Sequence, residues 1–471
     1  LRKDGYCGMI NQHSWMFLAS YQKYRSQLLS TSSIINMLHL GPRAFEEISG
    51  EIVQSTAFII KKDKLEDYRS SYLRLVKFRN AKEKEIKTLE CLQNPDCGYY
   101  YIAKQDNFEL IPGCPVAYWI SNNIVEVFLN YPSLKEKSIS ISEGIKTGLN
   151  EKYIRFWYEL NIKEFYPMNE NRNLARWVSH HKGGEYRRWY GNKFHAIFWE
   201  NDGYEIRNRK NSGIQGETMF FKSFLSWSKS GSNFGIRYYE DQLFDSASPA
   251  LEPINNMFYV LGLLSSKIGY FFTRIINPTL SLQVGDVGTI PIIEEKEVIE
   301  EVNILVQENI SISKIDWDSF ETSWDFEIHP LLDESKQGGQ VPATIEKAYD
   351  NWKEYANKNF AKLKKNEERL NEIFIEIYGL EDELTPEVSD RDITITKIFD
   401  DKKDIYEDIK GNQYILTKED VIKSFISYGV GCMFGRYSLD EKGLIYAGGE
   451  FDINRYKKFK PVEDNIVIIT D

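Results

Sequence analysis

The sequence predicts a multidomain chain of the α/β and α+β classes. Three observations carry this. At 471 residues the chain is too long for one hydrophobic core and should divide into about three domains. Its first sixty-odd residues alternate strand, helix, strand, loop and strand, the pattern of part of an open α/β sheet. From Pro342 to Ile377, apolar residues recur at three- to four-residue spacing for more than thirty positions, a long amphipathic helix.

Composition narrows the class. Hydrophobic residues make up 42% and charged residues 27%, as in a soluble globular protein. The longest apolar stretch, Met257 to Phe272, is 16 residues and is interrupted by Lys267. It therefore reads as a buried helix, not a membrane span. No signal-peptide pattern opens the chain, which points to the cytoplasm. Leu1 stands without a preceding Met, in a turn before a strand, and the chain reads as a piece of a longer protein. Cys7, Cys91, Cys97, Cys114 and Cys432 form no C-x-x-C pair, so neither zinc nor a disulfide framework is indicated. His180, His181 and His195 have no Cys or carboxylate at ligand spacing. They read as polar surface, and no metal is expected.

The elements follow in order. Gly5 to Trp15 is turn, then strand. Phe17 to Leu29 has helical spacing through Leu18, Tyr21, Tyr24 and Leu28. Ser33 to Leu40 is a strand that Gly41-Pro42 breaks, Ala44 to Gly50 a loop or short helix, and Ile52 to Lys61 a last strand. Ligands of such sheets bind at the carboxyl ends of strands, where the Gly41 to Gly50 loop lies. Asp63 to Leu92 is charged and reads as helix through Leu65, Tyr68, Tyr72, Leu75 and Phe78. Glu294 to Ile312 is a further helix. The glycines from Gly429 to Gly435 are too weak a pattern for a nucleotide loop.

Charge is unevenly spread. The whole chain is at −11, yet Asn171 to Tyr239 holds 12 Lys/Arg against 5 Asp/Glu. That segment also carries Trp177, Tyr186, Trp189, Tyr190, Phe194, Trp199, Tyr204 and Trp227. Cations can neutralise phosphate while polar and planar groups meet bases. The plainer alternative is a Trp/Tyr-rich β-domain with solvated cations. Residues 301–471 hold 36 Asp/Glu against 22 Lys/Arg, an unfavourable surface for phosphates.

The strings DGYCGMINQHSWMFLASYQKYRSQLL and HLGPRAFEEISGEIVQSTAFIIKK resemble the last third of a gamma-class adenine-N6 DNA methyltransferase core. GIKTGLNEKYIRFWYEL, HHKGGEYRRWYGN, INPTLSLQVGDVGTIPI and FISYGVGCMFGRYSLDEKGLIYAGG are similar to the PglX-like methyltransferases of BREX phage-defence systems. The resemblance runs through essentially all 471 residues. It implies residues 1–65 as the C-terminal part of a Rossmann-like methyltransferase sheet and 66–125 as a connecting helical region. Residues 126–292 would be a mixed α/β target-recognition domain, 293–380 a helical spacer and 381–471 an acidic α/β region. Trp15 matches the family's strand-end Trp near the active site. Phe45 matches the aromatic that stacks on the flipped adenine, a base that has lost its neighbours' stacking. The family's loop for S-adenosylmethionine, the implied cofactor, and its Asn-Pro-Pro-Tyr loop are not found in this sequence. No catalytic residue is therefore assigned, and the chain alone is expected to be inactive.

In the implied recognition domain, Thr147, Gly148 and Asn150 offer a hydroxyl, bare backbone and an amide for phosphate or base edges. Lys182, Gly183, Gly184, Arg187, Arg188 and Lys193 offer close backbone approach and charge. Asn277 and Gln283 complete the candidate DNA-binding set. Double-stranded DNA is the expected partner, with other phage-defence proteins, and no membrane. Two rivals remain: a non-catalytic DNA-specificity subunit, which would have no use for Trp15 and Phe45, and a carbohydrate- or protein-binding module using its Tyr/Trp surface.

Overall fold

The structure is a computed structural model that describes residues 2, 4–45, 53–231, 233–279, 281–448 and 451–462. It is a mixed α/β chain with several sheets, parted into two compact units. One comprises residues 1–136 and 271–293, the other 137–270 and 294–471.

The first unit is built on β1 (Tyr6–Gln12), β2 (Ser33–Gly41), β3 (Ser55–Lys61), β4 (Arg69–Arg74) and β5 (Tyr100–Lys104), in the order β1-β3-β2-β4-β5. β3 is antiparallel to both β1 and β2, so those two run parallel, and β4 is parallel to β2. α1 (Gln22–Thr31) starts five residues later than its apolar spacing predicts, because Leu18 to Tyr21 turn back as a single 3-10 turn. Arg25 fixes that turn. Its buried guanidinium donates to the carbonyls of Trp15, Leu18 and Gly113.

The helix expected over 63–92 is instead β4 followed by α2 (Ala81–Gln93), capped by Asn80 accepting from the Glu83 amide. Ser70 and Tyr72 are buried on alternate positions, so here sheet pairing overrides the helical spacing of Tyr68, Tyr72 and Leu75. α3 (Asp106–Glu109) and α4 (Asn122–Asn130) follow. The core joins Trp15, Met16, Phe17, Ile34, Met37, Phe58, Tyr72 and Val116, each large side chain worth about 1.5–3 kcal/mol of burial.

The second unit holds two larger sheets and a pair of short strands. β6 (Ser138–Ser142), α5 (Asn150–Tyr153), β7 (Ile154–Phe156), β8 (Phe165–Tyr166), β9 (Trp177–His181), β10 (His195–Phe198) and α6 (Glu200–Arg207) lead into β11 (Phe224–Trp227), β12 (Ile236–Tyr239), β13 (Leu243–Phe244) and β14 (Ala250–Pro253). One sheet has the order β13-β9-β10-β7 with β8 beside β9, the other β12-β11-β14-β6. The stretch Met257 to Phe272 is helical as expected but breaks at Ser266, between α7 (Met257–Ser265) and α8 (Lys267–Ile276). α9 (Val284–Gly288) falls in the first unit.

α10 (Ile299–Trp317) packs on both α7 and α11 (Ile345–Tyr378), the 34-residue helix foreseen from its spacing. Thr344 caps its start, and Gly379, in the left-handed region at φ 60°, ends it. β15 (Lys397–Phe399) pairs in parallel with β16 (Ile415–Thr417). Gly429 and Gly431 lie inside α12 (Lys418–Met433), a helix and not a nucleotide loop. Among the described residues no helix is long and apolar enough to cross a membrane.

Candidate nucleic-acid and base-handling sites

In the first unit, β1, β2 and β4 place their carboxyl ends along one edge of the sheet, where open α/β sheets bind ligands. His13 directly follows β1, His39 lies near the end of β2, and Arg74 ends β4. His13 Nδ1 is 2.8 Å from His39 Nε2, and His39 Nδ1 is 3.1 Å from the Tyr118 hydroxyl. Burial lowers His13 to about 4. Burial, with His13, Arg74 and Lys84 nearby, holds His39 well below the usual imidazole range. Both rings are thus neutral, one donating and the other accepting.

Arg74 lies 4.2 Å from the centroid of the half-buried Trp119, whose ring also meets Phe17, His39 and Tyr118. Trp15 sits in the core just beyond the end of β1, against Tyr24 and Phe58. Phe45, four residues past β2, is 45% exposed and so is not a core aromatic. The loop expected over 41–50 lies outside the described residues from 46 onward.

In the second unit the basic segment divides sharply. Arg187, Arg188 and Arg237 are buried. Arg187 Nη2 donates to Asp316 at 2.7 Å, Arg188 Nη2 to Glu367 at 2.7 Å and to the Asp392 carbonyl, and Arg237 to Tyr239 and the Arg187 carbonyl. Arg187 and Arg188 are therefore corrected from phosphate contacts to structural ion pairs, because a desolvated guanidinium needs a counter-charge and here each has one. Half of the eight aromatics named for the segment are corrected too. Trp189, Tyr190, Trp199 and Trp227 are core, whereas Tyr204 is 64% exposed. His180 and His181 are buried, not polar surface. His180 Nε2 lies 3.4 Å from Asp245 and His181 stacks on Tyr239. Among the described residues no cluster of three or more His, Cys, Asp or Glu could hold a metal.

The Lys182-Gly183-Gly184 turn needs its glycines for packing. At Gly184 (φ +129°) a Cβ would stand 2.9 Å from Asn192 Nδ2, and at Gly183 (φ +81°) 3.0 Å from Ser248 Oγ. Lys182 lies 3.8 Å from Asp245, and Lys193 Nζ donates to the Tyr190 hydroxyl at 3.0 Å. Asn277 and Gln283 belong to the first unit. The buried Asn277 amide is used up: Nδ2 donates to Asp286 and Ser281, and Oδ1 accepts from the Thr279 amide and hydroxyl. Gln283 Nε2 donates to Ser281 Oγ. Both side chains stitch their own loop.

What faces solvent is the Lys146 to Asn150 loop with the Tyr204 to Asn211 segment. The Lys146 and Gly213 backbones pair both ways at 2.8 and 2.9 Å, and Lys152 and Tyr153 both bond Glu205. Thr147 is buried, its hydroxyl donating to Asn150 Oδ1 at 2.6 Å and accepting from the Leu149 amide, so it shapes the loop. Lys146, Gly148, Asn150, Tyr204 and Lys210 are exposed. Asn201, Asp202 and Gly203 form a left-handed turn just before Tyr204. A Cβ at Gly203 would strike Trp199 at 2.6 Å. Left-handed backbone costs roughly 1–3 kcal/mol at a residue other than Gly, and such residues cluster at functional surfaces. Lys146 and Lys210 have no acidic partner among the described residues, and sequence reading singled out neither. Their signal, a cation in a loop beside Gly or Asn, is common in any surface.

No family model matches the chain. Its relatives are adenine-specific methyltransferases, so the resemblance read from the sequence holds. It is 38% identical over 487 residues to the adenine-specific methyltransferase PglX of Lacticaseibacillus casei (strain Zhang), covering 100% of this chain and 38% of that protein. It is 32% identical over 458 residues to the adenine-specific methyltransferase BrxX of Escherichia coli O9:H4 (strain HS), covering 95% and 36%. The chain thus spans less than two fifths of the length of these curated relatives. Among solved structures, the Type IIL restriction-modification enzyme MmeI in complex with DNA aligns with a TM-score of 0.47 at 11% identity, covering 83% of this chain and 49% of that one.

Proposed function

We propose that this chain is part of a site-specific adenine-N6 DNA methyltransferase acting on duplex DNA in phage defence. The observation that carries this is the likeness to PglX, which runs through the whole chain at 38% identity. The two units would divide the work. The first would be the tail of a Rossmann-like methyltransferase sheet, and the second the target-recognition region.

The first unit's strand order supports that reading, since β3 returns antiparallel between two parallel strands. β1 supports it as well. It pairs on one side with β3, and Tyr6 and Ile10 are 63% and 62% exposed. An apolar, uncovered edge strand is a ready site for further pairing, here for strands of the same methyltransferase sheet. Phe45, exposed past the carboxyl end of β2, would stack on the extruded adenine. S-adenosylmethionine would supply the methyl group. No residue of this chain is assigned to hold it. In the second unit, Lys146, Gly148, Asn150, Lys182, Lys193 and Lys210 would meet the duplex. The setting would be the cytoplasm, with other defence proteins as partners.

Transfer of tritiated methyl from S-adenosylmethionine to duplex DNA tests this. The full-length protein should methylate adenine in one sequence context, and the 471-residue chain alone should bind duplex without methylating it. Methylation of cytosine, or of no base, by the full-length protein would refute the reading.

A further inference from the structure

The second unit contains a cavity of about 500 Å³ that the reading above does not use, lined by Tyr158, Asn161, Phe434, Arg436 and Tyr446 among others. That is within the usual size range of small-ligand sites, roughly 300–1,000 Å³. Phe156 and Tyr158 stack with ring planes 4° apart and centroids 5.2 Å apart, and His195 continues the stack at 4.8 Å. The stack holds the Tyr158 ring in place, yet that ring remains 47% exposed. A rigid, half-open ring at a cavity wall is a platform for another planar group.

Two polar groups share the wall. Arg436 is half-buried and has no acidic partner among the described residues. Its Nε donates at 3.2 Å to the Tyr437 hydroxyl, which also faces the Glu321 carboxylate, and its Nη atoms have no hydrogen-bond partner among the described residues. Asn161 commits its Oδ1 to the Lys163 amide, so its Nδ2 remains available as a donor. Glu159 is also at the wall, but its carboxylate already accepts from the Phe156 amide at 2.8 Å.

We propose that this cavity binds a nucleotide, its base stacked on Tyr158 and its phosphate on Arg436. A guanidinium fork that forms no ion pair among the described residues can match phosphate bidentately. The acidity of residues 301–471, with 36 Asp/Glu against 22 Lys/Arg, disfavours a long polyanion here and favours a single nucleotide.

Calorimetric titration of the 471-residue chain with AMP, adenosine and a five-nucleotide oligo-dA strand tests this. AMP should bind about tenfold or more tightly than adenosine, the margin of a charge-assisted phosphate contact. Arg436→Ala should abolish that margin, and Arg436→Lys should restore part of it. Tyr158→Ala should weaken AMP and adenosine alike by about fivefold or more. A strand that binds more tightly than AMP, with the same dependence on both residues, makes the source a DNA strand; one that binds more weakly makes it a free nucleotide. No heat from AMP at millimolar concentration, or binding unmoved by Arg436→Ala and Tyr158→Ala in variants with unchanged melting, overturns the proposal. Methylation by the full-length protein is read separately, so failure here leaves the methyltransferase reading standing.

Discussion

Arg188 and Glu367 are a buried ion pair, Nη2 to Oε2 at 2.7 Å, with Trp189 Nε1 donating to the other carboxylate oxygen at 2.7 Å. They are 179 residues apart and lock the turn after β9 to the middle of α11. The pair explains why the most basic stretch of the chain is not its most phosphate-ready one. Arginines neighbouring a Gly-Gly turn look like anion ligands in sequence, and their carboxylates are too distant in sequence to be seen.

Arg188→Met should therefore destabilise the chain by about 3–5 kcal/mol, since it leaves a buried carboxylate without its cation. Arg188→Met with Glu367→Leu should recover part of the loss, limited by the orphaned Trp189 N–H. Urea unfolding midpoints measure this. The salt dependence of duplex binding should not move. A lower salt slope with unchanged stability would return Arg188 to the DNA surface.

Much of the architecture was legible where one local signal dominates. The 34-residue α11 follows from its apolar spacing, and β2 from a strand that Gly41-Pro42 breaks. β4 was not legible, because Tyr68, Tyr72 and Leu75 satisfy a helical period by chance and only pairing with β2 and β5 decides otherwise. For the candidate sites, Phe45 was named only through the resemblance of its loop to the methyltransferase family, and its role stays a proposal. His13, His39 and Arg74 could not be named, since only the parallel run of β1, β2 and β4 brings them to one edge.

Phe45→Ala in the full-length protein should lower methylation and leave duplex affinity nearly intact. Loss of one base–aromatic stack is worth about 1–3 kcal/mol, or roughly 5- to 150-fold in rate if felt in the transition state. Because Phe45 is 45% exposed, melting should shift little. Parental methylation by the variant would remove Phe45 from the base-handling site.

Acid should weaken the first unit. Burial depresses His13 to about 4, so between the ordinary imidazole value and 4 the unfolded chain binds a proton that the folded chain refuses. The stability this contributes is fully present above about pH 6.5 and is lost as pH falls towards 4, on the order of 3 kcal/mol. His39, His181, His195 and His329 are depressed in the same direction, so the whole chain should lose stability on acidification. His13→Gln should be less stable at pH 7 and lose less between pH 6.5 and 4. An unchanged loss in that variant would mean that His13 does not carry its share.

The last prediction concerns the surface that remains once the buried arginines are removed from it. Lys146 and Lys210 flank the Thr147 to Asn150 loop, are exposed and lack acidic partners among the described residues. If both neutralise phosphates, Lys146→Ala with Lys210→Ala should reduce the log–log salt slope of duplex binding by about 0.9 per lysine. The loss should be equal on specific and scrambled duplex, because phosphate contacts carry no sequence. Asn150→Ala should behave differently. An amide that reads a base edge costs about 1–3 kcal/mol at one base pair with little change in slope. Thr147→Val should mimic Asn150→Ala in part, since the Thr147 hydroxyl holds Asn150 Oδ1 at 2.6 Å. Fluorescence anisotropy across several salt concentrations separates these outcomes. An unchanged slope in the double lysine variant would place the DNA surface elsewhere, with Lys182 and Lys193 next to be tested.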